Sequence, residues 1–408
     1  MFFLTNNKAE CTGCTACENS CPVQAIHFEK DDEGFSYPII DMTVCINCGL
    51  CERVCPVANP QYDNAENPEV YAAILKDESQ RVKSTSGGLF YAIAMWVIQR
   101  GGIVFGATID SQNQVYHITA ENEDELQALR GSKYVQSDLG DTFKAVKENL
   151  QQGRLCYFVG TGCQVAGLKA FLRKENGNLL TSDLVCHGVP SQWLFDQHVE
   201  YLERKHHGVV SEYRFRNNAI GGGCELFKLA NPRGKVREIK NPTYILSPYL
   251  YSFMYAMTYR WSCYDCKFAK LPRQGDITLA DYWGSTHFFP DMDNSKGISL
   301  CLVNTERGRK VWDEIKEEFE YRESNVQDAA RYNGNLIRTS KPHAYRESIY
   351  EKIRKEGYAT VAEHEFRIKS YHKELLKARI DESRVLSACM RVVKDTKKVI
   401  LKLVKRDG

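Results

Sequence analysis

The sequence lacks the features that mark membrane-spanning and secreted proteins. No stretch of it approaches the roughly 18 uninterrupted apolar residues that a membrane span requires. The first ten residues, MFFLTNNKAE, contain few apolar positions and no cleavage site, so we do not expect a secretory signal. The chain of 408 residues is therefore expected to be cytoplasmic.

Two common cofactor motifs and a uniform charge are missing as well. No G-x-G-x-x-G follows the first candidate strand, which argues against a Rossmann nicotinamide site, and no Walker A run is present. The net charge is only +2, which argues against a nucleic-acid partner. Residues 1–60 nevertheless contain three Lys or Arg against eight Asp or Glu, whereas residues 341–408 contain 18 against ten. An acidic beginning and a basic end favour oriented contacts with protein partners.

Cysteine, by contrast, is abundant, with 16 residues in the chain. Without an export signal these cysteines are poor candidates for disulfides, and they more often bind metal or carry redox chemistry. Eight of them form two runs of C-x-x-C-x-x-C-x-x-x-C-P that repeat after 34 residues. The first run is Cys11, Cys14, Cys17 and Cys21, and the second is Cys45, Cys48, Cys51 and Cys55.

This spacing is that of two-cluster bacterial ferredoxins, in which the fourth cysteine of each run reaches the other cluster. The sequence therefore predicts one 4Fe-4S cluster on Cys11, Cys14, Cys17 and Cys55, and a second on Cys45, Cys48, Cys51 and Cys21. Zinc is the alternative, but zinc sites usually take four ligands in two C-x-x-C pairs, and two complete copies with the same spacings disfavour it. Two adjacent clusters indicate electron transfer.

Beyond a proline-containing linker at residues 59–68, strand and helix patterns alternate. Apolar runs of strand type occur at residues 70–75, 103–109, 155–159 and 179–185, and helical spacing of apolar residues lies between them. We expect an α+β ferredoxin-like head followed by a mixed α/β domain. The expected divisions are the head at residues 1–60, the α/β domain at 69–210, a β-rich domain at 211–340 and a basic helical tail at 341–408.

The last expected helix, residues 383–406, carries apolar positions with Lys and Arg on its other faces. Such a helix can lie on an anionic membrane surface, which would make the protein membrane-peripheral, or it can pack on the protein or on a partner. Its charges are not confined to one face, which favours packing over membrane contact.

Four later cysteines occupy suggestive positions. Cys163 lies between a candidate strand and a candidate helix, Cys186 ends a strand, and Cys263 and Cys266 form a C-x-x-C. Spacing alone leaves open a third cluster or separate roles as buried hydrophobe, catalytic thiol or zinc ligand. The other four, Cys156, Cys224, Cys301 and Cys389, are interpreted as core or incidental residues.

Six segments stand out in order along the chain: STSGG at 84–88, GSKYVQS at 131–137, GTGCQVAGLKAFL at 160–172, DLVCHGVPS at 183–191, RWSCYDCKFAK at 260–270 and GDITLADYWG at 275–284. Taken together, they resemble the beta subunits of coenzyme F420-reducing hydrogenases and dehydrogenases. With the ferredoxin head, the resemblance covers roughly three quarters of the chain. One departure is Gly162, which stands where the family has proline.

The resemblance implies FAD in the α/β domain, which would then be a flavin-binding domain, with a third 4Fe-4S cluster beside it. The implied ligands of that cluster are Cys163, Cys186, Cys263 and Cys266, and the implied flavin contacts are Ser86, Gly87, Gly88, Lys133 and Tyr134. Lys133 is the candidate catalytic residue, because its charge would stabilise reduced flavin or phosphate; the alternative is an exposed surface lysine. Residues 84–88 have two further interpretations, a helix N-terminus that binds phosphate or a plain N-cap. Coenzyme F420 is a further candidate cofactor.

The leading hypothesis is an iron–sulfur flavoprotein oxidoreductase. It would pass electrons between a ferredoxin-like or deazaflavin donor and a small organic substrate. The alternatives are a non-catalytic subunit that relays electrons to another redox protein, and a partner protein in a surface-polysaccharide pathway. The later cysteines disfavour the polysaccharide alternative.

Overall fold

The computed structural model describes residues 2–216, 225–231 and 233–382. Its helices are α1 Phe2–Thr5, α2 Ala16–Ser20, α3 Leu50–Arg53, α4 Glu78–Val82, α5 Leu89–Ile98, α6 Glu123–Leu129, α7 Thr142–Gln151, α8 Gly162–Leu172, α9 Gln192–His206, α10 Pro248–Met254, α11 Trp261–Tyr264, α12 Ser285–Phe288, α13 Glu306–Ile315, α14 Val326–Tyr332, α15 Ile349–Glu356, α16 Tyr358–His364 and α17 Tyr371–Glu382. The helix expected at 383–406, and with it Cys224 and Cys389, lies outside the described residues. In the described part of the chain, no helix has the length and apolar character needed to cross a membrane.

The strands form three sheets. They are β1 Ile26–Lys30, β2 Ser36–Ile40, β3 Glu69–Leu75, β4 Ile103–Ile109, β5 Val115–Ala120, β6 Cys156–Thr161, β7 Leu179–Leu184, β8 Val209–Arg214, β9 Glu225–Ala230, β10 Val236–Asn241, β11 Ile277–Asp281, β12 Ser299–Val303 and β13 Phe319–Ser324. β1 and β2 pair as a hairpin in the head, and β8, β9 and β10 form a three-stranded antiparallel sheet. The other eight strands form one sheet in the order β13-β3-β12-β11-β7-β6-β4-β5.

The large sheet has a parallel centre and antiparallel edges. β4, β6, β7 and β11 run parallel to one another, and antiparallel pairs flank this group on both sides. β6 is buried along almost its whole length, as expected for a central strand that is covered on both faces. The strands expected at 70–75, 103–109, 155–159 and 179–185 correspond to β3, β4, β6 and β7. The expected mixed α/β architecture is therefore confirmed.

The expected boundary at residue 210 does not separate two sheets. β11, β12 and β13 come from the stretch interpreted as a β-rich domain, yet they pair with strands of the α/β region. Only β8, β9 and β10 of that stretch have a sheet of their own among the described residues. The sequence pattern cannot show this arrangement, because the pairing of β3 with β12 and β13 joins residues more than 200 positions apart.

The head packs into the cores of the body. Cys14, Ala16 and Val54 share an apolar cluster with residues of α7, α8 and β6. Phe35 and Tyr37 share a second cluster with α9 and with α15 and α16 near the end of the described chain. The first part of the expected basic tail therefore contributes buried side chains to the core.

Candidate iron–sulfur electron-transfer site

The two cysteine runs of the head adopt the same backbone conformation. Gly13 and Asn47, which are equivalent in the repeat, both have positive φ, at 69° and 51°. Thr15 and Gly49, also equivalent, have φ of 58° and 66° and cap α2 and α3 in the left-handed region. Each loop thus turns twice through a conformation that favours glycine, and each run has only one glycine at these two positions.

The turns leave two cavities in the head, and each is lined by cysteines from both runs. One cavity is bordered by Cys11, Cys14, Cys17 and Cys55, and the other is bordered by Cys21, Cys45, Cys48 and Cys51. Cys51 also borders the first cavity. The grouping is the crossed one expected from the ferredoxin spacing, with Cys55 beside the first run and Cys21 beside the second.

Burial disfavours the thiolate form at the first cavity. It raises the pKa of Cys14 to about 12, with contributions from Cys11 and Cys55, and it raises the pKa of Cys17 well above its usual value. The pKa of Cys55 is raised for the same reason. Because iron binds the thiolate, loading this cavity displaces protons.

Cys163 and Cys186 are positioned by two neighbouring parallel strands. Cys163 lies in the first turn of α8, directly after β6, and Cys186 lies two residues beyond the end of β7. β6 and β7 pair in parallel register, so their carboxyl ends meet at the same edge of the sheet. Cys263 lies in α11 and Cys266 follows it, in the segment that leads back from the three-stranded sheet to β11.

The four cysteines are half-buried and influence one another electrostatically. Burial raises the pKa of Cys163 to about 11, with a further contribution from Cys266, and raises that of Cys186 to about 12, with contributions from Cys163 and Cys266. Burial raises the pKa of Cys263 well above its usual value, with contributions from the other three. The four thiols are therefore near enough to influence one another, and a shared third cluster stays a prediction.

Among the described residues, no set of three or more Cys, His, Asp or Glu side chains is arranged to hold a single metal ion. Cys156 and Cys301 lie fully buried in β6 and β12, as the sequence indicates.

Hydrogen bonds fix the conformation of the loop at Gly162, where the chain lacks the proline expected from the resemblance. Thr161 and Gln164 form a reciprocal capping box, in which the Thr161 amide donates to Gln164 Oε1 at 2.9 Å. The Thr161 hydroxyl also lies 3.1 Å from the Cys163 sulfur. A Cβ at Gly162 would meet the Phe268 side chain at 3.0 Å, so the position is closely packed. The cap therefore fixes the turn that presents Cys163.

One helix connects the head with the inner cysteines. Gly167 lies on α8, one turn after Cys163, and a Cβ there would stand 2.9 Å from Cys14 Cβ and 3.1 Å from its sulfur. Cys163 is also within electrostatic range of Cys14. The first cavity of the head therefore adjoins the inner site, and no signal in the sequence marks Gly167 for this contact.

The loops expected to contact flavin meet each other. The Thr85 and Ser132 hydroxyls lie 3.2 Å apart, and Arg130 donates to Ser84 Oγ at 2.9 Å. Tyr134 stacks on Phe253 with ring centroids 4.4 Å apart. Tyr134 and Cys263 pack against the same small apolar cluster, so this loop lies next to the inner cysteines.

The polar groups of the expected flavin contacts are engaged by the protein itself. The Lys133 ammonium donates to the carbonyls of Ala128, Leu129 and Arg130 at 3.3, 3.0 and 2.9 Å, which caps the end of α6. Burial lowers the pKa of Lys133 to about 7. Lys133 is therefore a helix-capping residue in this structure, and its catalytic role stays a prediction.

The remaining expected contacts are occupied in a similar way. Ser86 Oγ donates to the Ile298 carbonyl at 3.1 Å. A Cβ at Gly87 would stand 2.1 Å from the Ala73 carbonyl oxygen, so this glycine is required by the approach of the loop to β3. Gly88 caps α5 with φ of 96°, and the Tyr134 hydroxyl interacts with Ser132 and Arg216. These five residues offer no unengaged polar side chain to a ligand.

Comparison with known families agrees with the cysteine pattern. Residues 153–329 match the family described as the C terminus of the coenzyme F420 hydrogenase/dehydrogenase beta subunit, and residues 10–59 match the 4Fe-4S dicluster domain. No curated protein matches the chain. Among solved structures, a chain of the F420-reducing [NiFe] hydrogenase complex from Methanosarcina barkeri aligns with 16% identity and a TM-score of 0.41, over 71% of this chain and 94% of that one.

Proposed function

Because the chain carries the C-terminal domain of the coenzyme F420 hydrogenase/dehydrogenase beta subunits behind a 4Fe-4S dicluster domain, we propose that it conducts single electrons through three clusters in series. Twelve cysteines would hold them, four to a cluster. The distal cluster would bind Cys21, Cys45, Cys48 and Cys51, the proximal cluster Cys11, Cys14, Cys17 and Cys55, and the inner cluster Cys163, Cys186, Cys263 and Cys266. Each cluster, when bound, takes up and releases one electron.

The observation that carries the proposal is the continuity of the cysteine groups. The two head cavities share Cys51 on their walls, and the first cavity adjoins the inner site through Cys14 and Cys163. Cys14 and Ala16 are buried against α8, so the first cavity is covered on the side that faces the body. A path without gaps between cysteine groups is what stepwise electron transfer requires.

FAD belongs to the same proposal, on the strength of the resemblance and of the position of Tyr134 beside the inner cysteines. When bound, FAD would exchange single electrons with clusters and electron pairs with an organic substrate. The five expected contacts have protein partners, so a flavin would be held by backbone groups or by other residues. A ferredoxin-like or deazaflavin donor and a small-molecule substrate complete the oxidoreductase hypothesis.

A relay subunit without flavin is the second candidate. It is favoured by the three carbonyl acceptors that occupy the Lys133 ammonium. In that case electrons would leave the inner cluster for a partner redox protein. Flavin content separates the two candidates, because a relay binds clusters only.

The test is the iron, sulfide and flavin content of protein purified without oxygen. Three cubane clusters predict about 12 iron atoms per chain, whereas the head alone predicts about 8. Replacing Cys263 and Cys266 by serine should lower the iron by about 4 atoms and leave the head loaded. Cys301→Ala is the matched control, because Cys301 is a fully buried cysteine within β12. Unchanged iron in the double variant would contradict the inner cluster, and iron-free wild-type protein would contradict the whole proposal.

A further inference from the structure

Arg260 lies between the head and the inner cysteines. It precedes Cys263 by three residues, and only 1% of its side chain surface is exposed. Its Nε donates to the Cys11 carbonyl at 2.7 Å, one terminal nitrogen to the Ser36 carbonyl at 2.9 Å and the other to Gln136 Oε1 at 3.3 Å. The Arg260 guanidinium, which belongs to the body, thus bonds two separate segments of the head, at Cys11 and at Ser36.

The three oxygen acceptors of Arg260 are neutral carbonyl or amide groups, and the guanidinium also lies 4.2 Å from the centre of the Tyr37 ring. The Cys11 side chain is a further hydrogen-bond partner. A buried cation without an anionic partner is costly. The thiols of Cys11, Cys163 and Cys263 lie within electrostatic range of it. A cluster on these thiolates carries negative charge that grows on reduction, and it would supply the missing counter-charge.

We propose that Arg260 is a positioning residue for electron transfer, whose charge raises the reduction potentials of the proximal and inner clusters. The guanidinium favours the more negative, reduced form of each cluster, and its three hydrogen bonds fix the two sites relative to each other. The inference rests on the proposed function, because it requires clusters at Cys11 and Cys263.

Arg346 provides the contrast within the same interface. It is fully buried, stacks 4.2 Å from the Trp261 ring centre, and donates to the Tyr259 carbonyl at 2.8 Å. Its terminal nitrogens bind the Glu33 carboxylate of the head. Both arginines therefore join head to body, but the charge of Arg346 is neutralised by its partner and that of Arg260 is not.

The experiment is a redox titration of the full-length, cluster-loaded protein, followed by electron paramagnetic resonance. In Arg260→Gln the reduced-to-oxidised ratio of one or both clusters should fall about tenfold at a fixed potential, a shift of 59 mV for one electron. Arg260→Lys keeps the charge and should retain most of the wild-type ratio. The control, Glu33→Gln combined with Arg346→Met, removes a head-to-body bond without changing the net charge and should leave the potentials unchanged.

If Arg260→Gln loses iron, a second variant tests whether the Arg260 charge affects the cluster potentials. Gln136→Glu is isosteric, leaves the arginine in place and puts a carboxylate beside the guanidinium, so it should lower the same potentials. Unshifted potentials in an iron-loaded Gln136→Glu or Arg260→Gln protein would overturn the proposal while leaving the three clusters in place. An equal shift in the Glu33 and Arg346 control would also overturn it, because docking alone would then set the potentials. Iron-free wild-type protein would instead overturn the proposed function.

Discussion

The two cysteine runs of the head have the same spacing and the same backbone turns, but they lie in different surroundings. In the first run Ala16 is completely buried and Cys14 lies against α8. Near the second run Cys48 is exposed, as are Met42 at 65% and Ile46 at 60%. The two runs of the repeat therefore differ in exposure, because the body covers the first run and leaves the second run open to solvent. In the proposed electron path, the covered half would be the inner end and the open half the outer end.

The contact that makes the first run the inner one can be broken at Gly167. In Gly167→Val the new side chain would collide with Cys14, and we expect the free energy of unfolding to fall by about 2–3 kcal/mol. Urea unfolding under anaerobic conditions measures the change, and iron analysis should show loss from the proximal site. Gly177→Val is the control, because open space surrounds a Cβ at that position. Equal stability of the two variants would show that α8 does not cover the first run.

The order of cluster loss sharpens the same comparison. On brief exposure to air, the distal cluster should be lost first, so that about 4 of about 12 iron atoms disappear before the rest. Alkylation of the freed thiols, read by mass spectrometry, should then label Cys21, Cys45 and Cys48 ahead of Cys14 and Cys17. The physical reason is that oxidant reaches the exposed second run more easily than the covered first run. Early labelling of Cys14 would reverse the assignment of inner and outer ends.

The smallest expected effect concerns the exposed apolar side chains near the distal cluster. Replacing Met42 and Ile46 by serine should weaken docking of a protein electron donor by about 1 kcal/mol, a factor of ~5 in affinity. Reduction by a small dye should keep its rate, and the free energy of unfolding should change by no more than about 0.5 kcal/mol. Stopped-flow reduction by a ferredoxin measures the difference. Val209→Ser, at a 63% exposed position on β8, is the control and should change neither rate.

The head is well predicted from the sequence because the pattern that identifies it, the cysteine spacing, lies within short segments of the chain. Each run places three thiols within seven residues, and the crossed partners Cys21 and Cys55 follow from the known geometry of that motif. For the inner site, the strand patterns before Cys163 and Cys186 indicate two neighbouring sheet ends. The local sequence pattern does not predict that Cys263 and Cys266 lie at the same edge of the sheet, because the three strands β8, β9 and β10 separate them from Cys186 in the chain. Their convergence depends on how β11 joins β7.

The residues that join the parts could not be predicted from the sequence. Gly167 looks like any helical glycine, and its role depends on Cys14, which is far away in the chain. Arg260 looks like a surface cation until the head covers it. For Lys133 the resemblance suggests a ligand contact, which stays a prediction, and the structure adds three backbone acceptors for its ammonium that the sequence does not indicate. Tertiary contacts, which a linear pattern does not contain, decide all three.

The buried pair of Glu33 and Arg346 has a consequence for biosynthesis. The two residues are 313 positions apart, and Arg346 leaves the ribosome only when most of the chain has been made. Until then the head lacks one of its anchors to the body. The contacts that join head and body are therefore completed only after both cysteine runs have left the ribosome.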